Sequence, residues 1–172
     1  MKRSKVLNLC MMLMFGIFVA FNAHAQETKA SPPATASGKI GDATVTVNYS
    51  SPSVKGRTIW GELVPYGKVW RAGANEATTV TFDKDVMVEG EGLAAGTYSF
   101  YTIPGEDEWT VIFNKTAKQW GTQYDEKQDA LRVQVTPREA SSMNERLAYG
   151  VTDDALLLRW ENLEVPISIQ AK

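Results

Sequence analysis

After residue 25 the sequence holds no cysteine and no histidine; Cys10 and His24 both lie in the first 25 residues. A chain shorn of both cannot assemble a Ser-His-Asp triad, a Cys-His dyad or an ordinary zinc site. The chemistry left open is that of carboxylate pairs, lysine, tyrosine or an oxygen-ligated metal such as calcium. Other absences narrow the field further. There is no glycine-rich phosphate loop and no helical period sustained beyond two turns. No basic stripe is present either, and with an acidic balance this argues against nucleic acid as a partner. No cofactor is expected.

What is present begins with an export signal. "MKRSKVLNLCMMLMFGIFVAFNAHA" has a basic start (Lys2, Arg3, Lys5), an apolar run from Val6 to Phe21 and a small-x-small end, Ala23-His24-Ala25. The run is shorter than the roughly 20 residues of a spanning helix. Cys10 lacks the small residue that precedes a lipidated cysteine. Residues 1–25 therefore read as a signal peptide and the mature protein as exported, periplasmic or extracellular, with no membrane span remaining. Removing 25 of 172 residues leaves 147, and removing three cations moves the net charge from −2 to −5. That length suits one domain able to bury a core without disulfides.

Residues 26–37, "QETKASPPATAS", read as a flexible leader, small and polar with two prolines. From residue 38 to 172 the dominant signal is a period of two. It runs through Val45/Val47/Tyr49, Thr78/Val80/Phe82, Trp109/Val111/Phe113, Leu131/Val133/Val135, Leu147/Tyr149/Val151, Leu156/Leu158/Trp160 and Val165/Ile167/Ile169. Gly41-Asp42, "AAGT" at 94–97, "PGEDE" at 104–108 and "TDD" at 152–154 punctuate these runs at antiparallel spacing. The pattern predicts an all-β fold: an antiparallel two-sheet β-sandwich or jelly roll of eight to nine short strands.

Two segments resist the alternation, 50–68 and 114–130, and long ordered connections are often functional. Between Lys55 and Asn75 stand four cations (Lys55, Arg57, Lys68, Arg71) against one anion, Glu62. In "VWRAGANEATTVTF", 69–82, a hairpin with a loop of Ala72-Gly73-Ala74-Asn75 would set Arg71 opposite Glu76. Gly73 and Asn75 suit positive φ there. The plain reading is an exposed latch worth about 0.2–1 kcal/mol. The functional reading is a polar binding mouth above an apolar interior, with Lys55, Arg57 and Lys68 beside it. An arginine-held glutamate is a hydrogen-bond acceptor rather than a catalytic acid.

Aromatic residues gather in or beside the same two segments: Trp60, Tyr66 and, just past its end, Trp70 at the first, Trp120 and Tyr124 in the second. They either pin the loops to the sandwich or stack on a ligand. Trp109 and Trp160 share parity with aliphatic residues and belong to the core. Asp125, Glu126 and Asp129 offer calcium-type oxygens without the glycine and final glutamate of a calcium loop, so a solvated loop is the better reading. Ser50, Ser51 and Ser53 do not stand in Ser-x-x-Lys spacing to Lys55.

The stretches "SPSVKGRTIWGELVPYGKVWRAGANEATTVTF", "LAAGTYSFYTIP", "EWTVIFNK", "QWG" and "YDEKQDALRV" together resemble the DUF2911 family, exported proteins common in Bacteroidota and known only as a domain of unknown function. The resemblance runs from Ser31 to Lys172 and is loosest from Arg138 to Gly150. It implies export and a mostly β domain, and it supplies no activity or catalytic residue. The leading functional reading is a non-catalytic module that binds a small molecule, glycan or envelope protein through 55–76 and 119–125. Its candidate residues are Lys55, Arg57, Tyr66, Trp70, Arg71, Asn75, Glu76, Trp120 and Tyr124. The alternatives are a carboxylate-dependent glycoside hydrolase or lyase, pairing Glu76 with Asp125 or Glu126 across roughly 5–9.5 Å, and a purely structural envelope protein.

Overall fold

A computed structural model of the chain describes residues 30–172. The segment expected to be a signal peptide and the start of the expected leader lie outside them. Ten strands follow one another: β1 (Pro33–Ile40), β2 (Ala43–Ser50), β3 (Thr78–Phe82), β4 (Val86–Val88), β5 (Glu91–Leu93), β6 (Gly96–Ile103), β7 (Trp109–Asn114), β8 (Asp129–Val135), β9 (Arg138–Val151) and β10 (Ala155–Ala171). A 3₁₀ turn, Glu126–Gln128, is the one helical element among the described residues. No helix there is long and apolar enough to cross a membrane. Six strands form one sheet in the order β1-β2-β3-β6-β7-β8, and four form the other, β5-β4-β10-β9, with every pairing antiparallel. The all-β sandwich is the observed architecture.

The period-two residues supply its core. Val45, Val47, Val80, Phe82, Phe100, Val111 and Phe113 of the six-stranded sheet face Val86, Val88, Leu147, Leu156, Leu158, Val165, Ile167 and Ile169 of the other. β6 and β7 are buried on both sides. Tyr101 and Ile112 point away from this core into a second apolar cluster with Ala77, closed by Tyr124. A strand covered on both faces loses the clean inside/outside alternation, and in β6 every residue from Tyr98 to Thr102 is buried.

Three departures from the sequence reading have physical causes. The expected leader extends too far, because Pro33–Ile40 pairs residue for residue with β2, from Pro33↔Ser50 to Ile40↔Ala43. Its inward positions are Ala34, Ala36, Gly38 and Ile40, the first three small because β9 runs against them; a Cβ on Gly38 would sit 2.8 Å from Val151 Cβ. The strand count is ten rather than eight to nine because Val86–Leu93 forms a hairpin turning at Glu89 and Gly90, both at positive φ (49° and 85°). Two such residues match the twist of a tight hairpin. Finally, the sets ending at Trp160 and beginning at Val165 belong to one strand, β10. Its inward parity switches from even to odd where Glu161 takes positive φ (53°), between two register shifts at which β9 carries the extra residues.

Just past Glu161, Glu164 is buried between two guanidiniums, hydrogen-bonded to both Arg138 and Arg159. Burial pushes its carboxyl up, and the two arginines outweigh burial and hold it below the ordinary value. A depressed folded pKa contributes stability that is present above the unfolded value, about 4.3, and lost as pH falls through the folded one. Glu164→Gln should therefore flatten the loss of stability below about pH 4.3. At neutral pH it should cost about 1–2 kcal/mol, less than a fully buried pair because both arginines keep contact with water. Urea melts of both proteins from pH 3 to 7 check the sign; parallel curves would contradict it.

Candidate functional site

The segment 51–77 leaves β2 and spans the open end of the sandwich. It first meets the second sheet: Val54 N–H donates to Glu145 O (2.7 Å), Leu147 N–H to Pro52 O (2.9 Å), and Ser53 bridges Arg146. It then returns to the first sheet at Trp70, which exchanges backbone hydrogen bonds with Thr102 (2.7 and 2.8 Å). The predicted 69–82 hairpin does not form. β3 has both edges occupied, by β2 and β6, so no edge is left for residues 69–71. Glu76 bridges Trp120 instead. Arg71 and Glu76 are not cross-strand partners, and they line different clefts. The latch reading is overturned in that form.

The turn between them is built differently from the expectation as well. Positive φ falls at Ala72 (48°) and Asn75 (59°), and Gly73 serves by its size, since a Cβ there would come within 2.7 Å of Thr78 Oγ1. The buried Ala72 carbonyl accepts from Thr78 Oγ1 (3.0 Å) and from Tyr149 Oη (2.7 Å), which fixes the left-handed turn. On its other side the turn is zipped to 119–121, with Ala77 N–H donating to Gln119 O (3.0 Å) and Gly121 N–H to Asn75 O (3.1 Å).

Arg71 is thus held by its neighbours on both sides and by Gly121 beneath its stem. It projects into a cleft of about 470 Å³ whose lining includes Lys55, Arg57, Trp70, Asn75 and Trp160. Among the described residues three cations line this cleft and no carboxylate does. Arg57 is fixed by donating to Val54 O (3.0 Å) and Ser53 O of its own loop. Among the described residues no carboxylate lies within ion-pair distance of Arg71. Burial holds its guanidinium below the ordinary value, opposed by an interaction with Tyr101. Arg71 Nε and Trp160 Nε1 are buried donors without an acceptor. Lys55, Ala72 and Asn75 are three of the six non-glycine residues at positive φ among those described. Backbone in such conformations is held only where its surroundings determine it, and it gathers at functional sites.

The remaining candidates lie elsewhere. Glu76 and Trp120, the latter 51% exposed, line a second cleft with Asn48, Tyr49 and Lys118, and no other carboxylate among the described residues lines it. Tyr66 lines a third with Trp60 and Glu161. Tyr124 packs on Tyr101 (5.0 Å), and its hydroxyl bonds Asp129 Oδ2 (2.6 Å) and Arg132 (2.7 Å). Burial and the Asp129 hydrogen bond push that hydroxyl up to about 12, and the ring packs on the second apolar cluster over β6 and β7. The oxygens weighed for calcium are similarly engaged. Asp125 caps the 3₁₀ turn, Glu126 pairs with Arg132 (3.2 Å), and Asp129 accepts from Asn114, Tyr124 and Arg132. No group of three potential metal ligands occurs among the described residues.

Trp60 and Trp70 pin the long segment to the core, as the packing reading of the loop aromatics expects. Trp60 meets Trp109 at 5.0 Å, and Trp70 stacks on Trp160 at 5.8 Å and 13°. Sequence reasoning missed two parts of the cleft. Trp160, assigned to the core by parity, also lines the cleft, and Gly121 seats Arg71. The "QWG" triplet was the one hint of the latter.

A family model described as "Protein of unknown function (DUF2911)" matches residues 31–169. No curated protein and no solved structure matches the chain.

Proposed function

Since the chain belongs to the DUF2911 family, whose description names no activity, we propose a function from the geometry: an exported, non-catalytic module that binds a small anionic ligand in the Arg71 cleft. The observation that carries it is a half-buried guanidinium with no carboxylate partner among the described residues, flanked by two more cations. A cation taken partly out of water without a counter-charge is unfavourable by itself, and a ligand anion supplies that counter-charge. Convergent polar groups in a concave site of this size are the usual make-up of a small-molecule pocket. The glycosidase alternative has less support, because no second carboxylate among the described residues lines the Glu76 cleft and Asp125 and Glu126 are engaged in structural contacts. Export rests on residues 1–25, and sequencing the N-terminus of the native protein tests it.

The binding reading makes an unusual demand on one variant. Arg71→Met keeps most of the stem and deletes the unpaired charge. It should leave the free protein as stable as wild type or up to about 1 kcal/mol more stable. Wild type should be stabilised by millimolar inorganic phosphate or acetate at constant ionic strength, by mass action, and the variant should not. Thermal melts with and without each anion decide it. Equal stabilisation of both proteins would remove Arg71 from the site.

A further inference from the structure

The Arg71 cleft is only half a charged site. We infer that its ligand is an organic anion whose acidic group is attached directly to a flat apolar body, an aromatic carboxylate being the simplest member of the class. This rests on the binding reading above and deepens it. Arg71 and Trp70 are adjacent in the chain and line the same cleft. The Trp70 ring is part-exposed and backed by the buried Trp160. Its backbone is tied to Thr102 by two hydrogen bonds, so the aromatic wall is stiff. Leu63, 45% exposed, continues the apolar surface along the lining.

Each simpler ligand leaves part of this lining unused. An inorganic anion would meet the cations and leave Trp70 and Leu63 against water, forgoing the gain from covering apolar area. A neutral ring would cover Trp70 and leave Arg71 without an acceptor, which costs more than a missed contact. A ring bearing an acidic group uses both: the planar guanidinium accepts a carboxylate in two-point fashion, and the ring takes an offset stack on the indole. A volume of about 470 Å³ admits one ring with its acidic substituent.

The test uses the mature protein and four probes at constant ionic strength: benzoate, acetate, inorganic phosphate and benzyl alcohol. Binding is read by calorimetry and by the indole and arginine side-chain N–H signals in NMR. Benzoate should bind roughly tenfold tighter than acetate, as one aromatic contact plus covered area implies, and benzyl alcohol should not bind measurably. Arg71→Met should abolish benzoate binding. Trp70→Leu should reduce benzoate to the level of acetate, and Leu63→Ala, at an exposed position, should weaken it severalfold without loss of fold. Acetate or phosphate binding as tightly as benzoate would overturn the aromatic class and leave the anion site standing. Benzyl alcohol binding as tightly as benzoate would overturn the role of charge. Silence from all four probes would overturn both readings.

Discussion

Trp109→Ala should destabilise the protein by about 3–5 kcal/mol, a large share of the 5–15 kcal/mol that holds a typical domain folded. Trp109 opens β7 and is fully buried. Its ring lies 5.0 Å from Trp60 and 6.4 Å from Trp70, each edge to face. Truncation removes the largest class of core side chain and opens a cavity where segment 51–77 rests on the sandwich. Aromatic partners that lose a well-placed ring forfeit about 0.5–1.5 kcal/mol beyond the area itself. Because Trp70 forms part of the cleft, the variant should also lose anion-dependent stabilisation. Trp120→Ala provides the contrast: at 51% exposure, it should shift stability by about 0.5 kcal/mol or less. Urea melts of both variants give the comparison. A Trp109 cost near that of Trp120 would mean the four-tryptophan cluster does not anchor the segment.

How far the sequence disclosed this arrangement depends on the kind of information each residue carries. Period-two runs such as Val45/Val47 and Trp109/Val111/Phe113 announce a buried face directly, because burial selects the side chain at every second position. β1 was hidden because the same period is written in Ala34, Ala36 and Gly38. Close approach of β9 demands small residues there, and small residues resemble a linker in composition. Pairing partners were less legible still. Arg71 and Glu76 invite a local hairpin, and only the occupation of both β3 edges by β2 and β6 forbids it. Edge occupancy is a property of the whole sheet, so no window around 69–82 contains it. The loop cations and Trp70 were visible from composition, whereas the seat for Arg71 comes from Gly121, fifty residues along the chain.

That seat makes Gly121→Ala the sharpest probe of the site. Gly121 is not at positive φ, so the demand is for space alone. A Cβ there would overlap Arg71 Cδ, lie 3.1 Å from Arg71 Cβ and come within 2.7 Å of the Asn75 carbonyl oxygen. That carbonyl already accepts from Gly121 N–H at 3.1 Å, and it belongs to a backbone held at positive φ that cannot retreat without moving the turn. Overpacking of this degree belongs at the upper end of its usual range, about 2–3 kcal/mol. The guanidinium should swing out of the cleft, taking benzoate binding with it. The clash with the Arg71 stem is distinguishable from the clash with Asn75 by a double-mutant cycle. In an Arg71→Ala background the stem is gone beyond Cβ, so Gly121→Ala should cost less than half of what it costs in wild type. Strictly additive losses would place the whole penalty on Asn75 and the turn. The positioning of Arg71 would then owe nothing to Gly121.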